Sequence, residues 1–268
     1  IKATREQVVA ELATAPIACQ PTPYAPAALR ILKKPALQNL TLFQSGAIEV
    51  QDEGSQILSQ LVGAKRGEMV VDFCAGAGGK TLSLGAAMRN TGRLYAFDVS
   101  EKRLAKLKPR LARSGLSNVH PVLIAHENDV KVKRLAGKID RVLVDAPCSG
   151  LGTLRRNPDV KWRQRPEDID ELNAKQAAIL AGASRLVKPG GRLVYATCSL
   201  MREENEAIAE AFTAEAADFA VLPAAEALAP LKLADPAVLC SGENGRFLRL
   251  WPHKHQTDGF FAACWVRR

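Results

Sequence analysis

From residue 69 onward the chain alternates short apolar runs with longer helical patterns, and this rhythm constrains the fold more than any other feature. Strand-like runs occupy 69–73, 93–98, 119–124, 141–145 and 192–197. Helical patterns fall between them at 80–88, 101–113, 130–135 and 167–187, and another follows at 203–216. Strands separated by helices pair in parallel, with helices on both faces of the sheet. The expected class is therefore α/β, with a doubly wound Rossmann-like sheet. Lys188-Pro-Gly-Gly191 supplies a stop signal just past the long helix. Asp258-Gly-Phe-Phe-Ala-Ala-Cys-Trp-Val266 predicts a turn and a closing antiparallel strand at or near the sheet edge.

Residues 1–45 have a different texture. Pro21-Thr-Pro-Tyr-Ala-Pro26 is extended or turn-like, because each proline fixes its own φ and keeps the preceding residue out of the helical region. A helix at 52–62, with acidic residues in its first turn, opens the regular part. Two units are expected: a partial N-terminal subdomain at 1–45 and a main domain at 46–268. At 268 residues the chain suits one large domain with a small annex. Charged residues interrupt every apolar run before it reaches membrane-spanning length. The first residues, Ile1-Lys-Ala-Thr-Arg-Glu, lack the apolar core of a signal peptide. No initiator Met is present, so the chain is expected to be cut from a longer one.

Glycine is concentrated where the first strand meets the first helix, in Asp72-Phe-Cys-Ala-Gly-Ala-Gly-Gly-Lys-Thr81. Such a turn lets a ligand approach the main chain beside free helix N–H groups. Two familiar fingerprints fail. A P-loop needs glycine at position 74, where Cys74 stands, and the dinucleotide pattern needs a small residue at position 81, where Thr81 stands. What remains is a nucleoside pocket without phosphate-binding features, which suits S-adenosylmethionine. The turn residues Cys74, Ala75, Gly76, Ala77, Gly78, Gly79 and Lys80 are its expected contacts. Asp98, ending the second strand, either accepts both ribose hydroxyls or caps the next helix. Asp129 is placed near the adenine amino group, with Glu127 as the alternative.

Two of the six cysteines end strands. Cys148 follows Arg141-Val-Leu-Val-Asp-Ala-Pro, and Cys198 follows Gly191-Arg-Leu-Val-Tyr-Ala-Thr. With a methyl donor present, a thiolate adding to carbon-6 of cytosine makes carbon-5 nucleophilic. A base then removes the carbon-5 proton and the thiol leaves. The two cysteines can divide nucleophile and base between them, and Asp145 can serve the ring edge and border the methyl donor. The residues alone do not choose between the thiols. Cys19, Cys240 and Cys264 are read as small buried hydrophobes. No Cys-x-x-Cys or His-x₃-His spacing occurs, which argues against a metal site. Without a secretory signal, a reducing, cytoplasmic setting is expected.

The formal net charge is +9, which favours a polyanionic partner. Ten basic residues against three acidic ones lie between Lys131 and Arg165, around Cys148. Eight acidic residues against one lysine lie between Glu203 and Asp235. The basic excess therefore brackets a reactive candidate, and the partner expected is a nucleic acid.

Over essentially 50–268 the chain resembles the RsmB/NSUN family of S-adenosylmethionine-dependent RNA (cytosine-5)-methyltransferases. The resemblance rests on Val50-Gln-Asp-Glu-Gly-Ser-Gln56, the glycine turn, Asp145-Ala-Pro-Cys-Ser-Gly150, Arg155-Arg-Asn-Pro-Asp-Val-Lys-Trp162, Ala196-Thr-Cys-Ser199 and Asp258-Gly-Phe-Phe261. It departs in one place: the family often has Ala-Pro-Gly-Gly-Lys where this chain has Gly76-Ala-Gly-Gly-Lys80. The resemblance implies a methyltransferase sheet, Cys198 as nucleophile and Cys148 as the residue that assists product release. It implies Asp145 hydrogen-bonding the target cytosine and closing the cofactor site, with Lys80 at the junction of cofactor and base. It also implies that residues 1–45 are the tail of an RNA-binding subdomain. Ribosomal RNA is the expected substrate and transfer RNA the alternative. Two rivals remain: the same fold methylating a small molecule or a protein, and a non-catalytic RNA-binding module.

Overall fold

A computed structural model of the chain describes residues 2–268. The N-terminal segment holds α1 (Arg5–Thr14), the antiparallel pair β1 (Cys19–Pro21) and β2 (Leu29–Ile31), and a short α2 (Thr41–Gln44). Thr4 and Gln7 close a reciprocal capping box at the start of α1. Val8, Leu12 and Leu42 form a small core of their own. The proline-rich turn is held to α3 (Glu53–Val62), where Glu53 Oε1 accepts from the amides of Tyr24 at 2.7 Å and Ala25 at 3.2 Å.

Five parallel strands follow: β3 (Met69–Asp72), β4 (Arg93–Asp98), β5 (Val119–Leu123), β6 (Ile139–Asp145) and β7 (Val187–Thr197). Their helices are α4 (Gly79–Ala87), α5 (Glu101–Ser114), α6 (Val130–Lys133), α7 (Val160–Arg163) and α8 (Pro166–Ser184). After β7 come α9 (Glu206–Glu215), β8 (Phe219–Leu222), α10 (Ala224–Leu228), β9 (Cys240–Ser241), β10 (Phe247–Leu250), α11 (Pro252–His255) and β11 (Phe260–Arg267). The sheet order is β5-β4-β3-β6-β7-β11-β10-β9, with β8 pairing the far end of β11. Strand order reverses between β3 and β6, and ligands of open α/β sheets bind above such a switch point. No helix among the described residues is long and apolar enough to cross a membrane.

Side-chain alternation along the strands feeds two cores. Val70, Leu143, Val194 and Ala196 join Ile57, Leu61 and Leu84 on one face. Val71, Val142, Val144 and Tyr195 join Leu180, Ala183 and Trp265 on the other. The edge strand β5 is protected differently: it exposes His120 and carries Pro121, which cannot donate to another strand.

Two expectations are corrected. The long helix stops at Ser184, and the Lys188-Pro-Gly-Gly191 stretch lies inside β7. Leu186 and Val187 are buried in either state, so apolar periodicity could not mark that boundary. The C-terminal strand is interior, lying between β7 on one side and β10 with β8 on the other. Its residues 260–265 are all buried, which is what a continuous apolar run without alternation supports.

The glycine turn shows two different needs for glycine. Gly76 and Gly78 both have positive φ, at 57° and 85°. A Cβ on Gly78 would stand 2.1 Å from Leu107 Cδ1, whereas one on Gly76 would meet nothing within 4 Å. Gly78→Ala should therefore lower stability by roughly 2–4 kcal/mol, from backbone strain plus overpacking. Gly76→Ala should lose only about 1–2 kcal/mol. Urea denaturation of the two variants checks the difference.

Candidate active site

The carboxyl ends of β3, β4, β6 and β7 meet at the switch point, and each brings a chemically distinct residue there. β3 ends in Asp72, which is fully buried and accepts a 2.6 Å hydrogen bond from Thr81 Oγ1. Its other oxygen has no protein partner. Burial, partly offset by Thr81, pushes its carboxyl up to about 7. Lys80, one residue before Thr81 on α4, donates to Asp145 Oδ2 at 2.7 Å. This ion pair crosses from the β3 side of the switch point to the end of β6. Burial opposes the Lys80 charge, but Asp145 outweighs it, and the ammonium pKa is raised. The Phe260 ring lies 5.4 Å below the ammonium.

Asp98 ends β4 and uses both oxygens locally. One accepts from Gly76 N at 2.8 Å and the other from Ser100 N at 2.7 Å. Ser100, not Asp98, is the cap of α5. Asp98 thus ties the glycine turn to the next strand and helix, buried beneath the open space at Gly76. Ala75 N and Gly78 N are spent on Phe97 O and Ala75 O, and Ala77 O accepts from Arg110 Nη1 at 2.6 Å. The Cys74 side chain packs into the core, where burial pushes its thiol well up.

The two strand-end thiols are brought together. Strands β6 and β7 are neighbours, and Cys148 Sγ lies 3.4 Å from Cys198 Sγ. The pair is asymmetric. The hydrogen bond from Cys148 lowers the Cys198 pKa against the opposing effect of burial, and Lys80 helps. The same bond, together with burial, pushes Cys148 well up. Either sulfur can donate in this bond, and the opposite directions of the two shifts favour the proton on Cys148.

A buried carboxylate holds both thiol loops. Glu204 accepts from Ser149 N at 2.8 Å, Ser149 Oγ at 2.5 Å and Gln176 Nε2 at 3.0 Å. Ser149 Oγ also meets Ser199 Oγ at 3.1 Å, linking the residues that follow each cysteine. Asn205 donates to Ser199 O at 3.0 Å and accepts from Thr197 Oγ1. Farther along, Gly152 N donates to Cys198 O and Gly259 N to Gly152 O, both at 2.8 Å. A Cβ on Gly152 would stand 2.2 Å from Gly259 O, so only glycine allows this approach. The fully buried Asp258 receives Arg155 Nε at 2.9 Å and Arg156 Nε at 3.0 Å. Arg155 also reaches Asp52 at 2.6 Å, and Gln51 accepts from Ser83 Oγ of α4 at 2.7 Å.

The sequence profile described as 16S rRNA methyltransferase RsmB/F matches residues 59–266. The chain belongs to that family. It is 35% identical over 274 residues to a probable ribosomal RNA small subunit methyltransferase B of Bacillus subtilis, covering 100% of this chain and 58% of that protein. Among solved structures, PH0851 superposes with a TM-score of 0.90 at 36% identity, covering 99% of this chain and 57% of that one. A methyltransferase homologue from Pyrococcus horikoshii gives a TM-score of 0.83 at 31% identity, covering all of this chain and 84% of that one. The chain thus spans a little over half the length of the curated relative.

Within this RsmB/F site, Lys80, Asp145, Cys148 and Cys198 converge, and the turn 74–80 meets Asp98 beside them. Asp129 caps α6 after β5, and its oxygens accept from Lys131 N and Ala125 N, both at 2.8 Å. Those two amides hold its carboxyl below the usual range. Glu127 lies against Gly182 of α8 and bonds Asn128. Sequence reasoning missed Glu204, Gln176 and Asn205. Glu204 counted only as one charge in an acidic stretch, and nothing local marks it as buried. Among the described residues no cluster of His, Cys, Asp and Glu is arranged to hold a metal.

Cys148→Ala removes the donor to Cys198, so the Cys198 pKa should rise. The pH midpoint of its alkylation by iodoacetamide should move upward and the rate at neutral pH should fall. Mass spectrometry of the labelled peptide measures both. Glu204→Ala leaves buried donors on Ser149 and Gln176 with fewer acceptors, a loss of roughly 2–4 kcal/mol. Calorimetry should show a melting temperature lower by roughly 5–15 °C.

Proposed function

We propose that the chain is the catalytic part of an S-adenosylmethionine-dependent RNA (cytosine-5)-methyltransferase that acts on ribosomal RNA. The observation that carries this reading is the hydrogen-bonded pair Cys198–Cys148 beside the Lys80–Asp145 ion pair. Family membership supports the RNA class of substrate. Residues 1–45, with five basic residues against two acidic ones, belong in this reading to an RNA-contacting subdomain.

The residues present fit the cofactor. The space at Gly76 is open, Asp98 lies directly beneath the turn, and the buried Asp72 has an unpartnered oxygen. Residues 74–80, Asp98 and Asp145 would hold it, and when bound it supplies a methyl group on an electrophilic sulfonium carbon. The chain's own residues prepare the acceptor. The Cys198 thiolate adds to carbon-6, and the electron pair displaced from the ring double bond makes carbon-5 nucleophilic. Lys80 faces the polar edge of the ring, where negative charge develops, and its partner Asp145 accepts a hydrogen bond from the exocyclic amino group. Loss of the carbon-5 proton to a base re-forms the double bond and expels the Cys198 sulfur. Cys148 then donates to that departing sulfur, restoring the hydrogen bond of the resting pair. One thiol is thus a nucleophile and the other a positioned donor that favours release.

Two variants test the division. Cys198→Ala should abolish methyl transfer from labelled S-adenosylmethionine to rRNA. Cys148→Ala should accumulate a covalent protein–RNA species that survives denaturing electrophoresis. An active Cys198→Ala protein would overturn the reading; an inactive Cys148→Ala protein without an adduct would exchange the two roles.

A further inference from the structure

Three tryptophans stand in the chain, and two have a place in its packing. Trp265 is buried, meets Phe212 edge-on and donates to Thr213 Oγ1 at 3.0 Å. Trp251 is covered by the Arg249 guanidinium at 4.5 Å. Trp162 is 80% exposed, and it is the largest exposed apolar side chain among the described residues.

Its position is nevertheless fixed. Gln164 Nε2 donates to Ser149 O at 3.0 Å, and Val160 Cγ1 lies 4.0 Å from where a Cβ on Gly150 would stand. The residues two before and two after Trp162 therefore both turn toward the loop that carries Cys148. Trp162 lies between these two contacts, in the short α7, with its side chain exposed. An indole is thus held in water by a segment tied at both ends to the thiol loop.

A cation lies against it. Lys161 Nζ lies 4.8 Å from the ring centroid. Arg155 and Arg156 of the same segment turn inward to Asp258 and Asp52 and Arg163 pairs with Asp159, so Lys161 is the cation at the ring, with Arg165 farther along. A lone exposed apolar residue is common on protein surfaces. This one differs in being tethered beside reactive thiols and flanked by a cation. Single-stranded RNA fits both properties: a phosphate is drawn to the cation, and a base stacks on the indole face.

We propose that Trp162 is a stacking platform for a nucleotide base flanking the target cytosine, with Lys161 engaging the adjacent phosphate. The proposal rests on the RNA methyltransferase reading above and adds a residue that selects single-stranded RNA.

The test uses a short single-stranded oligoribonucleotide with one cytosine and the same strand with abasic nucleotides on both sides of it. Trp162→Ala should weaken binding of the intact strand by about 5- to 100-fold, the range expected for one lost base stack. Trp162→Phe should keep most of the affinity, and the abasic strand should bind wild type and Trp162→Ala alike. The slope of log affinity against log salt should be unchanged in Trp162→Ala and shallower by about one in Lys161→Ala. Wild-type affinity in Trp162→Ala, or an equal loss on both strands, would overturn the platform. The two readings separate cleanly. A wild-type protein that methylates RNA while Trp162→Ala binds it normally overturns the platform alone. A wild-type protein that neither binds nor methylates RNA overturns both.

Discussion

The ion pair between Lys80 and Asp145 spans the point where the sheet changes winding direction, and the geometry of the site follows from it. On one side β3 runs into the glycine turn and α4. On the other, β6 and β7 end in the two thiol loops. Both charges are mostly shielded from water, so neither is stable there without the other. Their attraction joins the two sides of the switch point, sets the lysine above Phe260, and puts a cation near Cys198.

The second constraint is the orientation of one sulfur–sulfur hydrogen bond. Two cysteines at the ends of adjacent parallel strands begin as equivalent groups. Their difference arises below them, where Glu204, Ser149, Ser199 and Asn205 hold the loops at hydrogen-bonding distance. At that distance the hydrogen bond lowers the Cys198 pKa and raises that of Cys148, while Asp145 and Lys80 act on Cys198 in opposite senses. The acidic stretch after β7 thereby contributes a buried anchor to the site, and not only a solvated face.

Charge counting pointed to the segment around Cys148 as an RNA surface, and the structure divides that segment. Arg155 and Arg156 turn inward to Asp258 and Asp52, fastening the loop to the start of β11 and to α3. Lys161 and Trp162 face outward on α7. Basic residues of one short motif thus serve two purposes, with burial of the acidic partner deciding which.

Much of the architecture was legible in the sequence. Strand–helix alternation, the glycine turn and the two strand-end cysteines are local patterns, and each dictates local backbone geometry. The motifs likewise marked Lys80, Asp145, Cys148 and Cys198 as candidates. Local pattern could not give the end of α8, because Leu186 and Val187 are buried as helix or as strand. Nor could it give the interior place of β11 or the buried role of Glu204. Those depend on which elements become neighbours, and hydrophobicity within one element does not specify its neighbours. The sequence by itself determined which residues can carry the chemistry and at which strand ends they stand. Only the tertiary structure decided that the two sulfurs lie 3.4 Å apart with their pKa values pushed in opposite directions, because that asymmetry comes from a hydrogen bond between the ends of two strands that are neighbours in space and distant in sequence.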